Sequence, residues 1–433
     1  MKILHTADLH LGQVIYQNYD RNDEHQHFFD QLTSWCKEHQ PDALLVSGDV
    51  FDIQQPSATV KKFYTDYFVG LHRQCPEMAI VITAGNHDSA SRVQADSSVW
   101  ALANATVVGT APSTEPAEGW EDKYIVSLTS GYVIAMPYMA NERTETLQHL
   151  LDVVAKKNVE GKPVVMMGHT AVTGLDTLGH NLVVGTLKTQ EAKYFGSGYD
   201  YLALGHIHKP QTIDHQEDAL KMNVSYPAPV IRYSGSALHV SCDEAYPHSV
   251  SLVEIDKHGG EVQIKQLRID ELRHFYVLPE DNSSFTSAEE ALDAIQKFCK
   301  EKQSGYIRLR TSISTPLPSN FNQIVYDALA ATNDEVRYNP KIIWTDMDET
   351  VKEEKAKPSF EVAELQQMTN PLDFISKIID QYPELDMEEI RLAFEEVEQE
   401  VLRIEEEEEI KAATKETKKG SKAIKSETET DEE

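Results

Sequence analysis

Six short apolar runs constrain this chain more than any other feature. They are Ile3-Leu4, Ala43 to Val46, Ala79 to Ile82, Tyr132 to Met136, Val164 to Met167 and Tyr201 to Leu204, and in none of them do polar and apolar residues alternate. An alternating run leaves one face of a strand in water, whereas an unbroken one suits a strand covered on both faces. Between the early runs, Asp23–Glu38 and Thr59–Arg73 have the spacing of amphipathic helices, the second closed by Pro76. The expected class is a layered α/β fold over residues 1 to about 270. Later runs, Val230–Tyr233, Ser249–Ile255 and Gln263–Leu267, have no long helix between them and predict antiparallel pairing on one side.

Near Leu272 the pattern changes to strand (275–278), helix (287–300), strand (306–310), helix (319–331) and strand (336–344). That reads as a second, small α/β domain over residues 271–346. An acidic linker, Asp346 to Lys357, leads through Pro358 into a helical segment ending at residue 404. There Leu372, Ile375 and Ile379 share one helix face, and Met387, Ile390, Phe394, Val397, Val401 and Ile404 recur at alternating spacings of three and four. Asp386 and Glu389 make a capping box for the last helix. Residues 405–433 are charged and almost devoid of apolar side chains, which predicts a disordered tail.

Composition narrows the function. Of the 433 residues 40% are hydrophobic and 26% charged, which excludes wholesale disorder and fibrous repeats. Cys36, Cys75, Cys242 and Cys299 form no C-x-x-C pair, so no zinc ribbon, redox motif or disulfide framework is expected, and a reducing compartment fits. His5, Asp8 and His10 follow directly on Met1–Leu4, leaving no leader-like apolar stretch, and no run approaches the ~18 apolar residues of a membrane span. The expectation is a soluble, cytoplasmic protein. No G-x-x-x-x-G-K-[ST] motif occurs, so this chain has no P-loop with which to hydrolyse ATP. The net charge of −31, of which −23 precedes Glu395, argues against nucleic acid unless metal ions or a partner chain compensate locally.

Five strand-like runs end in polar clusters: Asp8-Leu9-His10, Gly48-Asp49-Val50-Phe51-Asp52, Gly85-Asn86-His87-Asp88, Gly168-His169 and Gly205-His206-Ile207-His208. In an open α/β sheet, ligands bind beyond the carboxyl ends of the strands, so these clusters can converge on one site. Each alone is ordinary turn chemistry. Together they offer carboxylate and imidazole without thiolate, a set for Mn²⁺, Zn²⁺ or Fe. Glycines before Asp49, Asn86, His169 and His206 suit tight turns that bring short side chains close to an ion. In an extended segment His206 and His208 point to the same side and reach one dinuclear centre.

The order D-x-H, G-D-x-x-D, G-N-H-D, G-H, G-H-x-H resembles the calcineurin-like metallophosphoesterase superfamily. The opening Met-Lys-Ile-Leu-His-Thr-Ala-Asp-Leu-His-Leu-Gly, the Ser-Gly-Asp-Val-Phe-Asp and the Tyr-Ser-Gly-Ser at 233–236 are similar to its bacterial nuclease subunits that work with an SMC-type ATPase. The resemblance implies a two-sheet β-sandwich flanked by helices, a small α/β cap and a C-terminal helical segment. It implies one metal held by Asp8, His10, Asp49 and His208 and a second by Asp49, Asn86, His169 and His206, with Mn²⁺ the expected ion. His87 is then the catalytic imidazole, with Asp88 orienting it. The implied activity is 3′→5′ double-strand exonuclease and single-strand endonuclease action on DNA, in repair, recombination and replication. Its implied partners are the ATPase, docked on the 347–404 helices, and a second copy of the chain, packed through helices of the Asp23–Arg73 region. A stand-alone phosphoesterase for nucleotides or other small phosphoesters is the alternative, and a scaffold with a silent metal site is a third reading.

Around these positions, His5, Asp52 and Tyr233 are candidates to support the ligands. His25, His27, His39 and His72 lie in or beside the helices and read as surface or interface residues, and His180 as a plain loop residue. Phe63, Tyr64, Tyr67 and Phe68 read as packing rather than as a nucleic-acid stacking face.

Overall fold

A computed structural model describes residues 1–345 except 17–18, 114–116, 140–142, 177–188, 214–228, 241–243, 245, 282, 303, 313 and 334. Its principal strands are β1 (Lys2–Thr6), β2 (Ala43–Ser47), β3 (Ala79–Thr83), β4 (Ala105–Val108), β5 (Ile125–Leu128), β6 (Gly131–Ala135), β7 (Val164–His169), β8 (Tyr201–Gly205), β9 (Gln211–Ile213), β10 (Val230–Tyr233), β11 (Ser249–Ile255) and β12 (Val262–Arg268). They form two six-stranded sheets, ordered β12-β11-β1-β2-β3-β4 and β9-β10-β8-β7-β6-β5.

Side-chain alternation divides each apolar run between two layers. On β2, Leu44 and Val46 share a core with Phe28 and Leu32 of α1 (Asn22–His39) and Phe68 of α2 (Ala58–Gln74). Ala43 and Leu45 share the other core, with Val165 of β7 and Leu202 of β8. Leu147, Leu150 and Val154 of α3 (Thr144–Lys157) join that second core. The unbroken runs are therefore buried on both faces, as their lack of alternation predicts. Helix boundaries follow local chemistry: the Ser57 hydroxyl accepts the Val60 N–H at 3.2 Å to start α2, and Gln40 closes α1 in the left-handed conformation.

A buried polar seam ties the two sheets together. Ser47 Oγ donates to the Ala203 carbonyl at 3.0 Å, His5 Nδ1 lies 2.9 Å from the Tyr201 hydroxyl, and Arg232 Nε donates to Ser251 Oγ at 2.8 Å. Each bond crosses from one sheet to the other and fixes where their strand ends meet.

The third sheet is β13 (Phe275–Leu278), β14 (Gly305–Ser312) and β15 (Val336–Thr345), parallel throughout and in that order. With α4 (Ala288–Glu301) and α5 (Phe321–Thr332) it builds its own core around Ile295, Phe298, Ile307, Leu309, Val325 and Tyr338. The Ser287 hydroxyl accepts the Glu290 N–H at 3.1 Å to cap α4. Glu24 of α1 joins this sheet to the first part of the chain. Its buried carboxylate accepts from Arg21 Nη2 at 2.6 Å, Arg337 Nη1 at 3.2 Å and Arg273 Nη1 at 3.4 Å.

Two expectations are corrected. Val230–Tyr233 runs parallel to β8 and antiparallel to β9, because the short strand Gln211–Ile213 lies between β8 and Val230 in sequence and runs opposite to both. His25 is buried rather than superficial: Nε2 lies 2.8 Å from the Leu9 carbonyl and Nδ1 3.0 Å from that of Arg21. The helices assigned to 347–404, the tail 405–433 and His180 lie outside the described residues. No helix among the described residues is long and apolar enough to cross a membrane.

Burial, then the charge of Arg232, pushes His5 down to about 3. A pKa below the ordinary 6.5 means the unfolded chain binds a proton that the folded chain refuses, so stability falls as pH drops through 6.5 toward 3. The loss at this one residue is about 1.4 kcal/mol per pH unit. In thermal melts between about pH 7.5 and 5, which bracket the ordinary histidine pKa, His5→Gln should flatten the fall in midpoint relative to the unaltered chain; parallel slopes would contradict this assignment.

Candidate metal centre

The five polar clusters meet at one edge of the sandwich. Asp8 and His10 follow β1, Asp49 follows β2, and Asn86 and His87 follow β3, all neighbouring parallel strands of the first sheet. His169 ends β7 and His206 follows β8, adjacent parallel strands of the second. Main-chain bonds lace the loops: Asp8 N–H donates to the Gly48 carbonyl at 3.0 Å and His10 N–H to that of Asp49 at 3.1 Å. The Asp8 carboxylate also accepts the His206 N–H at 3.0 and 3.1 Å, clamping a loop of one sheet to a loop of the other.

Close approach costs backbone strain. Asp8, His10, Asp49 and His206 all have positive φ (51°, 45°, 47° and 91°), which non-glycine residues rarely adopt without compensation. The preceding glycines act in two ways. Gly48 sits at φ 84°, as a tight turn requires. Gly85 has no such angle; it leaves space, since a Cβ there would stand 2.1 Å from Asp49 Oδ1 and 2.3 Å from Asp49 N.

The seven donors fall into two overlapping groups, Asp8/His10/His208 and Asp8/Asp49/His169, each with its atoms within 4.8 Å of one another, and His10 also forms such a group with Asp52 and His87. Asn86 extends the second: its Oδ1 lies 3.0 Å from His169 Nε2 and 2.9 Å from His206 Nδ1. Asp49 Oδ2 stands between the groups, 3.2 Å from His169 Nε2 and 3.9 Å from His10 Nε2. The structure thus brings together all seven sequence-identified donors. His206 and His208 diverge, His206 toward Asn86 and His208 toward Asp8 and His10, because φ 91° at His206 turns the segment out of the extended form assumed from spacing.

The hydrogen-bond partners show what these atoms fit. His169 Nδ1 donates to the Ser47 carbonyl at 2.8 Å, so in the neutral ring Nε2 is a lone pair facing the Asp49 and Asn86 oxygens. His10 Nε2 is buried and makes no hydrogen bond among the described residues. Carboxylates and imidazoles that converge in a buried site need positive charge among them, from protons on the rings or from a bound cation. The electrostatics agree. Burial opposes the imidazolium of His169, yet the Asp49 carboxylate raises it to about 9, and Asp49 falls below the usual carboxylate range against His169 despite its own burial. The residues present fit divalent metal ions of the kind that carboxylate, amide and imidazole bind.

His87 lies at the mouth, exposed, its ring 4.9 Å from that of His10. Its main-chain N–H donates to Asp49 Oδ1 at 2.8 Å, and its ring Nδ1 lies 2.9 Å from the Asp52 carbonyl. That carbonyl, not Asp88, orients the ring. The Asp88 carboxylate is turned inward, where it accepts the N–H groups of Val50, Phe51 and Gly85 at 3.0, 2.9 and 2.8 Å and so joins the Asp49 loop to the His87 loop. Of the three candidate supports, Asp52 also sets Oδ1 3.3 Å from His10 Nδ1. Tyr233 braces the chain beyond His169, its hydroxyl donating to the Thr170 carbonyl and accepting the Val172 N–H, both at 2.8 Å. His5 belongs to the inter-sheet seam. Tyr64 and Phe68 are buried in the α1/α2 core and Tyr67 stacks on Phe29 at 3.6 Å, as packing requires.

One participant escaped the motif reading. Glu244, 1% exposed, accepts from His208 Nδ1 at 2.8 Å and from the Val240 N–H at 3.0 Å. It fixes the His208 tautomer as outer carboxylates do for metal-bound imidazoles. It lies 36 residues from His208 in a stretch without a ligand motif, so only the fold reveals it.

Residues 1–210 match the calcineurin-like phosphoesterase family model. The chain is also similar to proteins named as the SbcD subunit of the nuclease SbcCD. That of Escherichia coli (strain K12) is 30% identical, with 66% of this chain and 73% of the relative covered. Those of Rhodobacter capsulatus and Bacillus subtilis (strain 168) are 31% and 28% identical, each with 59% of this chain and 66% of the relative covered.

Because a methyl group at residue 85 would collide with Asp49, Gly85→Ala should weaken Mn²⁺ binding at least about tenfold by calorimetric titration, with unchanged far-UV circular dichroism. Unaltered affinity would show that Asp49 is not held against that glycine.

Proposed function

This chain belongs to the calcineurin-like phosphoesterases, in the company of the SbcD subunits of the nuclease SbcCD, and from that premise we propose that it is the nuclease subunit of an ATP-dependent DNA end-processing complex. It is a metal-dependent phosphodiester hydrolase. The observation that carries this proposal is the convergence of carboxylate, amide and imidazole groups from five strand ends around Asp49. In this reading Asp8, His10, Asp49 and His208 hold one divalent ion and Asp49, Asn86, His169 and His206 a second, with Mn²⁺ as the working metal. Bound there, the ions supply Lewis acidity to a phosphodiester and about +4 of charge at the site of an otherwise acidic chain.

The protein's own residues do the rest. Asp49 spans the two donor groups, and its Oδ1, taken up by the His87 N–H, sets the distance between metal ligands and catalytic ring. The Asp52 carbonyl engages His87 Nδ1, so the ring presents Nε2 to the open side. From there the protonated ring gives its proton to the leaving oxygen as a water oxygen bonds to phosphorus and the P–O bond to the leaving group breaks, a general-acid role that contributes about 10²–10⁴-fold. Asp88 keeps the two loops in register rather than touching the phosphate.

Linear duplex DNA cleaved from 3′ ends, and single strands cleaved internally, are the proposed substrates, in repair, recombination and replication. Residues 271–346 form a cap over the nuclease domain 1–270. Residues 347–404 dock on the coiled-coil base of an SbcC-like SMC-type ATPase, which supplies the P-loop this chain lacks. Two copies associate through the α1/α2 region, giving a heterotetramer in the cytoplasm.

His87→Ala should lower Mn²⁺-dependent hydrolysis of bis(p-nitrophenyl) phosphate at least about 100-fold while Mn²⁺ stoichiometry is retained. Undiminished hydrolysis would remove His87 from the chemistry. Deleting residues 360–410 should leave that hydrolysis intact but abolish co-purification with the ATPase and ATP-dependent degradation of linear duplex DNA; retained co-purification would place the docking surface elsewhere.

A further inference from the structure

A second set of metal-competent side chains lies outside the dinuclear centre. His239, in the segment between β10 and β11, His248, just before β11, and Glu271, in the link from β12 to β13, bring their donor atoms within 4.8 Å of one another. His239 Nδ1 and Glu271 Oε1 are 3.3 Å apart, the edge of a tetrahedron whose metal–ligand bonds are about 2.0–2.1 Å long. The two imidazole rings stand 4.2 Å apart between centroids.

His248 is the decisive member. Its side chain is fully buried, and Nδ1 donates to the Ser236 carbonyl at 2.9 Å, which leaves Nε2 as a lone pair. That Nε2 makes no hydrogen bond among the described residues; Glu244 Oε2, another acceptor, faces it at 3.5 Å. A buried lone pair 3.5 Å from a carboxylate oxygen calls for a proton or a cation between them, and the neighbouring His239 and Glu271 donors offer a cation a place. Both rings are also neutral donors. Burial, reinforced by neighbouring His and Arg21 charges, brings His239 down to about 2, and burial brings His248 down to about 4. The site opens on a cleft of about 420 Å³ that Tyr246, His274 and Phe275 also line, which gives a fourth ligand, such as water, room to enter.

We propose that His239, His248 and Glu271 form a third metal site, specific for Zn²⁺ or a similar borderline cation, separate from the dinuclear centre. Two imidazoles, one carboxylate and an open position are a common zinc set, and the absence of a thiolate among the three separates it from a Cys-rich structural site. The ion would staple the segment before β11 to the link into the third sheet. It would also adjoin the catalytic edge, since Glu244 faces His248 with Oε2 and holds His208 with Oε1.

The test uses the full chain, free of affinity tag, dialysed against buffered micromolar Zn²⁺ and assayed for zinc by mass spectrometry. To separate this site from the dinuclear reading, Asp8→Ala, Asp49→Ala and His169→Ala first disable the catalytic centre. That chain should keep one equivalent of zinc, and adding Glu271→Gln or His239→Gln should remove it; Glu271 is only partly buried, so its variant guards against misfolding. Substitution by Co²⁺ should give visible bands of a four-coordinate nitrogen and oxygen site, lost in the same variants. A disabled chain with no zinc, or one whose zinc survives both further substitutions, would overturn the proposal, whereas failure of the dinuclear reading would appear instead as unchanged total metal on disabling Asp8, Asp49 and His169.

Discussion

Asp49 is the group on which the rest of this architecture depends. A carboxylate 2% exposed, with one oxygen 3.2 Å from His169 Nε2 and the other tied to the His87 main chain, is stable only with positive charge beside it. Among the described residues the fold brings no lysine or arginine to that oxygen; it brings histidines and an asparagine. Carboxylates this deeply buried draw positive charge to themselves, on the imidazoles beside them or on a metal ion, and that demand is the physical content of the site.

Holding such a cage together draws on remote parts of the molecule. Backbone strain at Asp8, His10, Asp49 and His206 is offset by bonds that lock the loops: Asp8 onto the His206 N–H, and Asp88 onto three N–H groups of two loops. Behind them the seam of Ser47, His5, Tyr201, Arg232 and Ser251 keeps the sheets from sliding, so that donors from β1 to β3 meet donors from β7 and β8. Ser47 joins both layers of this organisation, because its side chain bonds across the sheets and its carbonyl sets the tautomer of His169.

The sequence exposed those parts of the fold whose cause is local. Doubly buried strands read as unbroken apolar runs, α1 and α2 as amphipathic periods, and the small βαβαβ unit as strands and helices in turn. The donors were equally legible, since each sits at or within a few residues of the end of its strand. What stayed hidden was tertiary. The parallel pairing of Val230–Tyr233 depends on an intervening three-residue strand too short to leave a pattern. Asp88 stands beside His87 in sequence, yet its side chain turns inward to main-chain donors, while a carbonyl 35 residues away orients the imidazole. Glu244 gives no signal before folding brings it to His208.

The most direct test of the central claim is electron paramagnetic resonance of the chain titrated with Mn²⁺. Two ions sharing Asp49 should be exchange-coupled, so the six-line signal of isolated Mn²⁺ should give way to a broad multiline spectrum as the second equivalent binds, and Asp49→Ala should abolish it. Isolated-ion spectra at every ratio in the unaltered chain would mean that the converging donors do not hold a bridged pair, and the account built on Asp49 would fail.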